Sequence, residues 1–140
     1  MFNKDVTIEN LEKMGKGGLS DFLGVEILSI EEGKMTSRLS IKPHHIAPNG
    51  FLHAATIIAL ADTTCGYASF AHLPEGAESL CTIELKSNYL GTVREGGIFC
   101  VATAMHLGRN TQVWDAKVSD EKTGKVIALF RCTQMNLFSK

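Results

Sequence analysis

One stretch of this chain constrains its fold more than any other. Residues 53–71 read HAATIIALADTTCGYASFA, and from Ala54 to Ala61 they are apolar almost all the way round a helical wheel. A surface helix carries one apolar stripe, whereas a helix apolar on every side has to be covered on every side. On both flanks the period changes to alternation. Residues 24–30 and 34–41 are short alternating runs separated by Glu31-Glu32-Gly33, which is a hairpin signal. Residues 80–90, 97–107, 111–120 and 126–138 repeat the pattern at greater length, with short separators at 92–96, 108–110 and 121–124 of the kind that joins antiparallel neighbours. A single hidden helix flanked by strands on both sides must be wrapped by a curved sheet. The expected class is therefore α+β, an antiparallel sheet curved around one long central helix, with something further covering the helix's remaining face.

Ahead of the strands, residues 7–14 have helical spacing. Thr7 is the expected N-cap, and Asn10 stands where a Glu would complete a capping box. Glycines within 15–18 break that helix, and the apolar piece 19–23 is expected to pack over something larger. Residues 1–23 thus read as a helical cover on one domain spanning 1–140.

Composition narrows the function classes. Fourteen Lys and Arg against 15 Asp and Glu give a charge of −1, which argues against a nucleic-acid binder needing a concentrated basic surface. No apolar signal core opens the chain and no run reaches the ~18 residues of a membrane span. Cys65, Cys81, Cys100 and Cys132 lie far apart without a Cys-x-x-Cys pair. They read as reduced thiols of a cytoplasmic protein, not as a disulfide frame or a zinc site. His44 and His45 have no second ligand cluster and read as solvated, so no metal is expected. Trp114, Phe99 and Phe130 follow strand alternation and read as core.

The residue that points to chemistry is Asp62, inside the apolar helix beside Leu60, Ala61 and Cys65. A carboxylate in such a setting costs several kcal/mol unless a partner cancels it or its pKa rises. It is kept where chemistry uses it, or where Thr63, Thr64 or a neighbouring strand satisfies it. The preceding loop, 43–53, is dense in turn formers and feeds straight into the helix, so the first-turn N–H groups of Ala54 and Ala55 lack intrahelical acceptors. Such groups can polarise a carbonyl, although every helix has such an end and His53 can simply cap it. Ala54 and Asp62 are eight residues apart, roughly 12 Å at about 1.5 Å per residue, so one carbonyl cannot touch both in one chain. If they share a reaction, a second copy brings its Asp62 to this copy's helix start, and a two-fold dimer does so twice.

With the motif Asn49-Gly50-x-x-His53-Ala54-Ala55, followed by Leu60-Ala61-Asp62-Thr63, the chain resembles the hotdog-fold acyl-CoA thioesterases. The resemblance is greatest to the group of the phenylacetate-degradation and 4-hydroxybenzoyl-CoA thioesterases. That group shows Asn or Gln, then Gly, then His-Gly-Gly, with an acid nine residues after the His; Gly50, His53 and Asp62 keep that spacing. Thr82-x-Glu84-x-x-x-x-Tyr89-Leu90, His106-x-Gly108-Arg109 and Gly124-x-x-Ile127-Ala128 extend the likeness over about residues 20–138.

The resemblance implies hydrolysis of an acyl-CoA or aroyl-CoA thioester without a cofactor, in a dimer or a dimer of dimers. It implies Asp62 as general base or nucleophile, the Ala54 N–H as the group polarising the carbonyl across the dimer, and Thr82 as a hydroxyl orienting water. His53 and Asn49 would join the catalytic residues at the helix start, Gly50 and Ala55 would contact the substrate, and Gly108 and Arg109 would meet CoA phosphates, although Gly108-Arg109-Asn110 is in the first place a hairpin turn. Two departures stand out. The glycines after the His are Ala54 and Ala55 here, and the polar residue six positions before it is Ala47. Either Asn49 reaches the carbonyl instead or that contact is missing. Two other readings remain: a non-catalytic acyl-CoA-binding protein, and a dehydratase, which normally pairs a His with the acid.

Overall fold

The hydrogen-bonding potential of six alternating runs is met by one sheet. The computed structural model describes residues 1–140, with β1 (Val25–Glu31), β2 (Lys34–Ser40), β3 (Ala77–Tyr89), β4 (Gly97–Leu107), β5 (Thr111–Asp120) and β6 (Val126–Phe138). Every pairing is antiparallel and the order is β1-β2-β4-β5-β6-β3. Five strands match their expected limits within a residue; β3 begins three residues earlier, at Ala77. The separator at 92–96 does not make a hairpin. Instead β3 lies at the far edge against β6, an equally long strand that pairs with it from Ala77↔Phe138 to Tyr89↔Ala128. The chain then crosses to enter β4 beside β2, and on the way Thr92 Oγ1 accepts from the Leu52 N–H at 3.0 Å. Register shifts within β1–β2, β3–β6, β4–β5 and β5–β6 bend the sheet, as bulges do.

The curved sheet holds α3 (Ala54–Phe70) against its concave face. Ile57, Leu60, Ala61, Cys65 and Ala68 of that helix meet Met35, Leu39, Ile98, Cys100, Trp114, Val118, Phe130 and Cys132 of the strands in one core. Phe99, expected there, points away: the inward positions of β4 are Ile98, Cys100 and Ala102, so alternation puts Phe99 on the outer face. Within one chain α3 is not covered all round. Ala54 and Ala55 are exposed, and Ile58, Ala59, Asp62, Thr63, Gly66, Tyr67 and Phe70 are only half-buried, a continuous stripe along one side.

The N-terminal cover consists of α1 (Ile8–Gly15) and α2 (Leu19–Leu23). Asn10 completes the capping box itself: its Oδ1 accepts from the Thr7 N–H at 3.2 Å, while its own N–H donates to Thr7 Oγ1 at 3.2 Å. The box needs only an acceptor at that position, and a short amide supplies it. Leu11 is fully buried, and a leucine so placed contributes about 1.5–3 kcal/mol. A Cβ at Gly15 would overlap the Tyr67 hydroxyl, so α1 meets α3 here at close range and any larger residue would push that side chain aside. The piece 19–23 packs less than expected: Leu23 joins the core, whereas Leu19 and Phe22 remain exposed.

Two buried histidines couple this fold to pH. His72, just past α3, accepts from the Gly33 N–H through Nε2 at 2.8 Å and donates from Nδ1 to the Ala68 carbonyl at 2.7 Å. His45, expected in solvent, is also buried, because the 3-10 turn Pro43–His45 tucks it inward and the Lys42 N–H donates to its Nδ1 at 2.9 Å. Burial holds both below the ordinary histidine value of 6.5. The unfolded chain therefore binds more protons between the folded and ordinary values; the stability is complete above 6.5 and is lost as pH falls below it. Urea midpoints should decline from pH 7.5 to 5.5, and a His72→Gln variant should show a shallower decline. A slope equal to that of the unsubstituted chain would remove His72 from this account.

Candidate active site

The start of α3 is held from three directions. Residues 46–52 close on themselves through an Ile46↔Leu52 bridge, an Ala47 N–H to Phe51 carbonyl bond of 2.8 Å and a Gly50 N–H to Ala47 carbonyl bond of 2.9 Å. Gly50 turns the corner at φ +85°, which other residues rarely adopt. Arg94 donates to the Gly50 carbonyl at 3.0 Å, its guanidinium 4.8 Å over the Phe51 ring. The His45 carbonyl accepts from the His53 N–H at 2.9 Å and from the Thr56 hydroxyl at 3.0 Å. Tyr89 donates to the Ala54 carbonyl at 3.3 Å.

Within this frame the expected residues part company. His53 is the N-cap, its Nδ1 accepting from the Ala55 N–H at 2.9 Å, so that donor is spent inside the chain. The Ala54 N–H has no acceptor and faces outward on an exposed residue. Asn49 does not reach the helix start: its Oδ1 accepts from the Phe51 N–H at 3.3 Å and serves the turn. Gly108 and Arg109 lie elsewhere. Their turn is tied by Asn136, which donates to both carbonyls at 3.1 and 2.9 Å, and it sits at the opposite end of α3, where Gln112 donates to the Ser69 and His72 carbonyls. A Cβ at Gly108 would overlap the His106 ring, and the Arg109 guanidinium lies 4.7 Å over the Phe138 ring.

Asp62 finds a partner on a neighbouring strand, one of the alternatives left open for it, and that partner is Thr82. The acid is half-buried on the open stripe of α3, and Thr82 on β3 donates to its Oδ1 at 3.0 Å. Burial raises its pKa above the ordinary carboxylate value, and the Thr82 hydrogen bond partly opposes the rise. A β-bulge aims that threonine: β6 advances from Gln134 to Thr133 while β3 advances from Thr82 to Glu84, leaving Ile83 as the extra residue. Asp62 opens onto a cavity of about 410 Å³ whose apolar wall includes Met14, Leu19, Tyr67, Phe70 and Leu80, with Gly66 one turn beyond the acid. A larger open cleft of about 700 Å³ between α1, α2 and β1 is lined chiefly by charged side chains such as Glu9, Glu12, Lys13 and Glu26, and does not include Asp62. No three His, Cys, Asp or Glu side chains converge as metal ligands.

Gln134 was not among the expected site residues, yet it lies 3.0 Å from Thr82 Oγ1. Its signal is a glutamine between Cys132 and Asn136 on the inward-facing alternation of β6. Inward polar residues in a strand are uncommon enough to single out.

Residues 49–127, more than half of the chain, match the family model described as thioesterase superfamily. A 1,4-dihydroxy-2-naphthoyl-CoA hydrolase from Listeria monocytogenes is 33% identical over 116 residues, covering 83% of this chain and 93% of that protein. The crystal structure of a thioesterase from Haemophilus influenzae superposes with a TM-score of 0.88 at 30% identity, covering 99% of this chain and 96% of the other. A mutant thioesterase from Pseudomonas aeruginosa gives a TM-score of 0.90 at 27% identity, with 97% of each chain covered.

Proposed function

This chain belongs to the thioesterase superfamily and is a thioester hydrolase, and we propose that it cleaves an acyl-CoA or aroyl-CoA ester at a site shared between two copies. The observation that carries this is the half-buried Asp62, hydrogen-bonded to Thr82, at the mouth of an apolar cavity. The carboxylate takes a proton from water while the resulting hydroxide adds to the thioester carbon. The Ala54 N–H of the second copy holds the developing oxyanion, and the tetrahedral adduct then expels the CoA thiolate, which recovers its proton from Asp62. Direct attack by the carboxylate, giving an anhydride that water then cleaves, uses the same contacts. The cavity beside Asp62 receives the acyl group, and its aromatic and aliphatic wall suits a ring or a chain of medium length.

Two features support the second copy. The stripe of α3 carrying Ala54, Ile58, Asp62 and Gly66 is only partly covered within one chain. The outer edge of β3 has no strand beside it, yet Ile83 on that strand is 52% exposed and Leu90, just past its end, 56%. A two-fold dimer joined at that edge covers both. Four free cysteines support a reducing compartment, in keeping with the cytoplasm. The test is thiol release from acetyl-, hexanoyl-, palmitoyl- and benzoyl-CoA. Turnover is expected, fastest with hexanoyl- or benzoyl-CoA. Binding of all four without release of CoA from any would make the protein a carrier.

A further inference from the structure

Thr82 has one hydroxyl proton and two acceptors. Its Oγ1 stands 3.0 Å from Asp62 Oδ1 and 3.0 Å from the nearer end of the Gln134 amide. Gln134 is fully buried on β6, directly opposite Thr82 in the β3–β6 register, and the other end of its amide lies 3.4 Å from Cys132 Sγ. The ends of an amide are told apart only by what they bond, so the protonation of Asp62 decides which way this one points. With Asp62 ionised, the charged oxygen takes the threonine proton, because a charge-assisted bond is the stronger of the two. Gln134 must then turn its NH2 toward Thr82 and its oxygen toward the Cys132 thiol. With Asp62 protonated, the acid donates to Thr82, Thr82 donates to the amide oxygen, and the NH2 faces sulfur. Each arrangement satisfies every member, and they differ by a half-turn of one buried amide.

We propose that Gln134 is a positioning residue: by donating to Thr82 it commits the threonine proton to Asp62, and by turning over it accommodates the proton that Asp62 takes up during turnover. This rests on the reading of Asp62 as the acting carboxylate. A chain of aligned hydrogen bonds strengthens each member, so donation by Gln134 favours the ionised form of the acid. Other titratable groups near the relay are Cys65 on α3, Cys132 on β6 and Glu84 on β3, the last accepting from the Thr133 hydroxyl at 3.2 Å. Burial and the Thr82 bond account for the Asp62 shift without any of them.

The experiment is kcat and KM against pH for the unsubstituted enzyme, Gln134→Met, Gln134→Glu, Thr82→Val and the Thr82→Val/Gln134→Met double variant. The substrate is whichever of the four CoA esters is turned over fastest, and folding is monitored by thermal melts. Gln134→Met keeps length without hydrogen bonds. It should lower kcat about tenfold with KM within about twofold, move the acid limb of kcat to higher pH, and add nothing further when Thr82 is already valine. Gln134→Glu puts an acceptor where a donor is needed and should move the limb up by more than about one unit; if it does not fold, Gln134→Met carries the test. An acid limb unmoved by Gln134→Met, or an effect that multiplies in full with that of Thr82→Val, overturns the inference. Asp62→Asn distinguishes the two levels. An inactive Asp62→Asn with a silent Gln134 defeats the relay alone, whereas full activity in Asp62→Asn defeats the catalytic reading beneath it.

Discussion

Replacing Asp62 with Asn is expected to reduce turnover by about 10²- to 10⁴-fold, the range usual for loss of a general base. The amide is nearly the same size, and it can still accept from Thr82 through its oxygen, so the 3.0 Å contact and the packing of α3 are retained. It can neither take a proton from water nor attack a thioester. Removal of the charge should also leave stability unchanged or slightly raised, since burial already disfavours the ionised form. Thiol release on the best ester and a thermal melt of both proteins measure the two effects. A rate above about a tenth of the original, with the melt unchanged, would show that the acid is structural.

Mixing two inactive variants should restore activity. Ala54→Leu places a bulky side chain at the exposed start of α3, beside the unpaired N–H, while its own Asp62 remains sound. Asp62→Asn lacks the acid but keeps its helix start. Each homodimer is then dead at both sites. In a mixed dimer one site collects both faults and the other collects none. Random pairing makes about half the dimers mixed, each with one working site, so co-refolded equimolar subunits should approach about a quarter of full activity. Pairing of dimers into tetramers leaves this fraction unchanged. If mixed dimers form and stay inactive, the acid and the helix start do not meet across an interface, and the roughly 12 Å between them along one helix must be bridged differently.

The sequence made the strands legible because alternation is a local signal, and the limits of β4, β5 and β6 follow it to the residue. The partner of β3 was not legible: the short separator at 92–96 looks like a hairpin, whereas the long match with β6 is a property of residues some fifty positions apart. For the site, an acid in an apolar helix was enough to single out Asp62, whereas its pairing with Thr82 was legible only as one possibility, a partner on a neighbouring strand. The sequence left open whether His53 caps the helix and whether Asn49 reaches its start, and side-chain rotation within the loop decides both: the His53 ring takes the Ala55 N–H and Asn49 serves its own turn. His45 misleads for a related reason. A histidine beside a proline and a second histidine reads as solvated until the turn buries it.

The open edge of β3 has a consequence in time as well as in space. A chain that has finished folding, but has not yet met another, presents thirteen residues of extended backbone with one row of N–H and C=O groups unanswered. Any extended segment of suitable length can answer them, right or wrong. Between 77 and 89 there is no proline, and Glu78, Glu84 and Lys86 are the only charges. If the proposed dimer forms at this edge, the interval between folding and pairing is thus guarded by three side chains, and neutralising them would tax the chain while it is still alone.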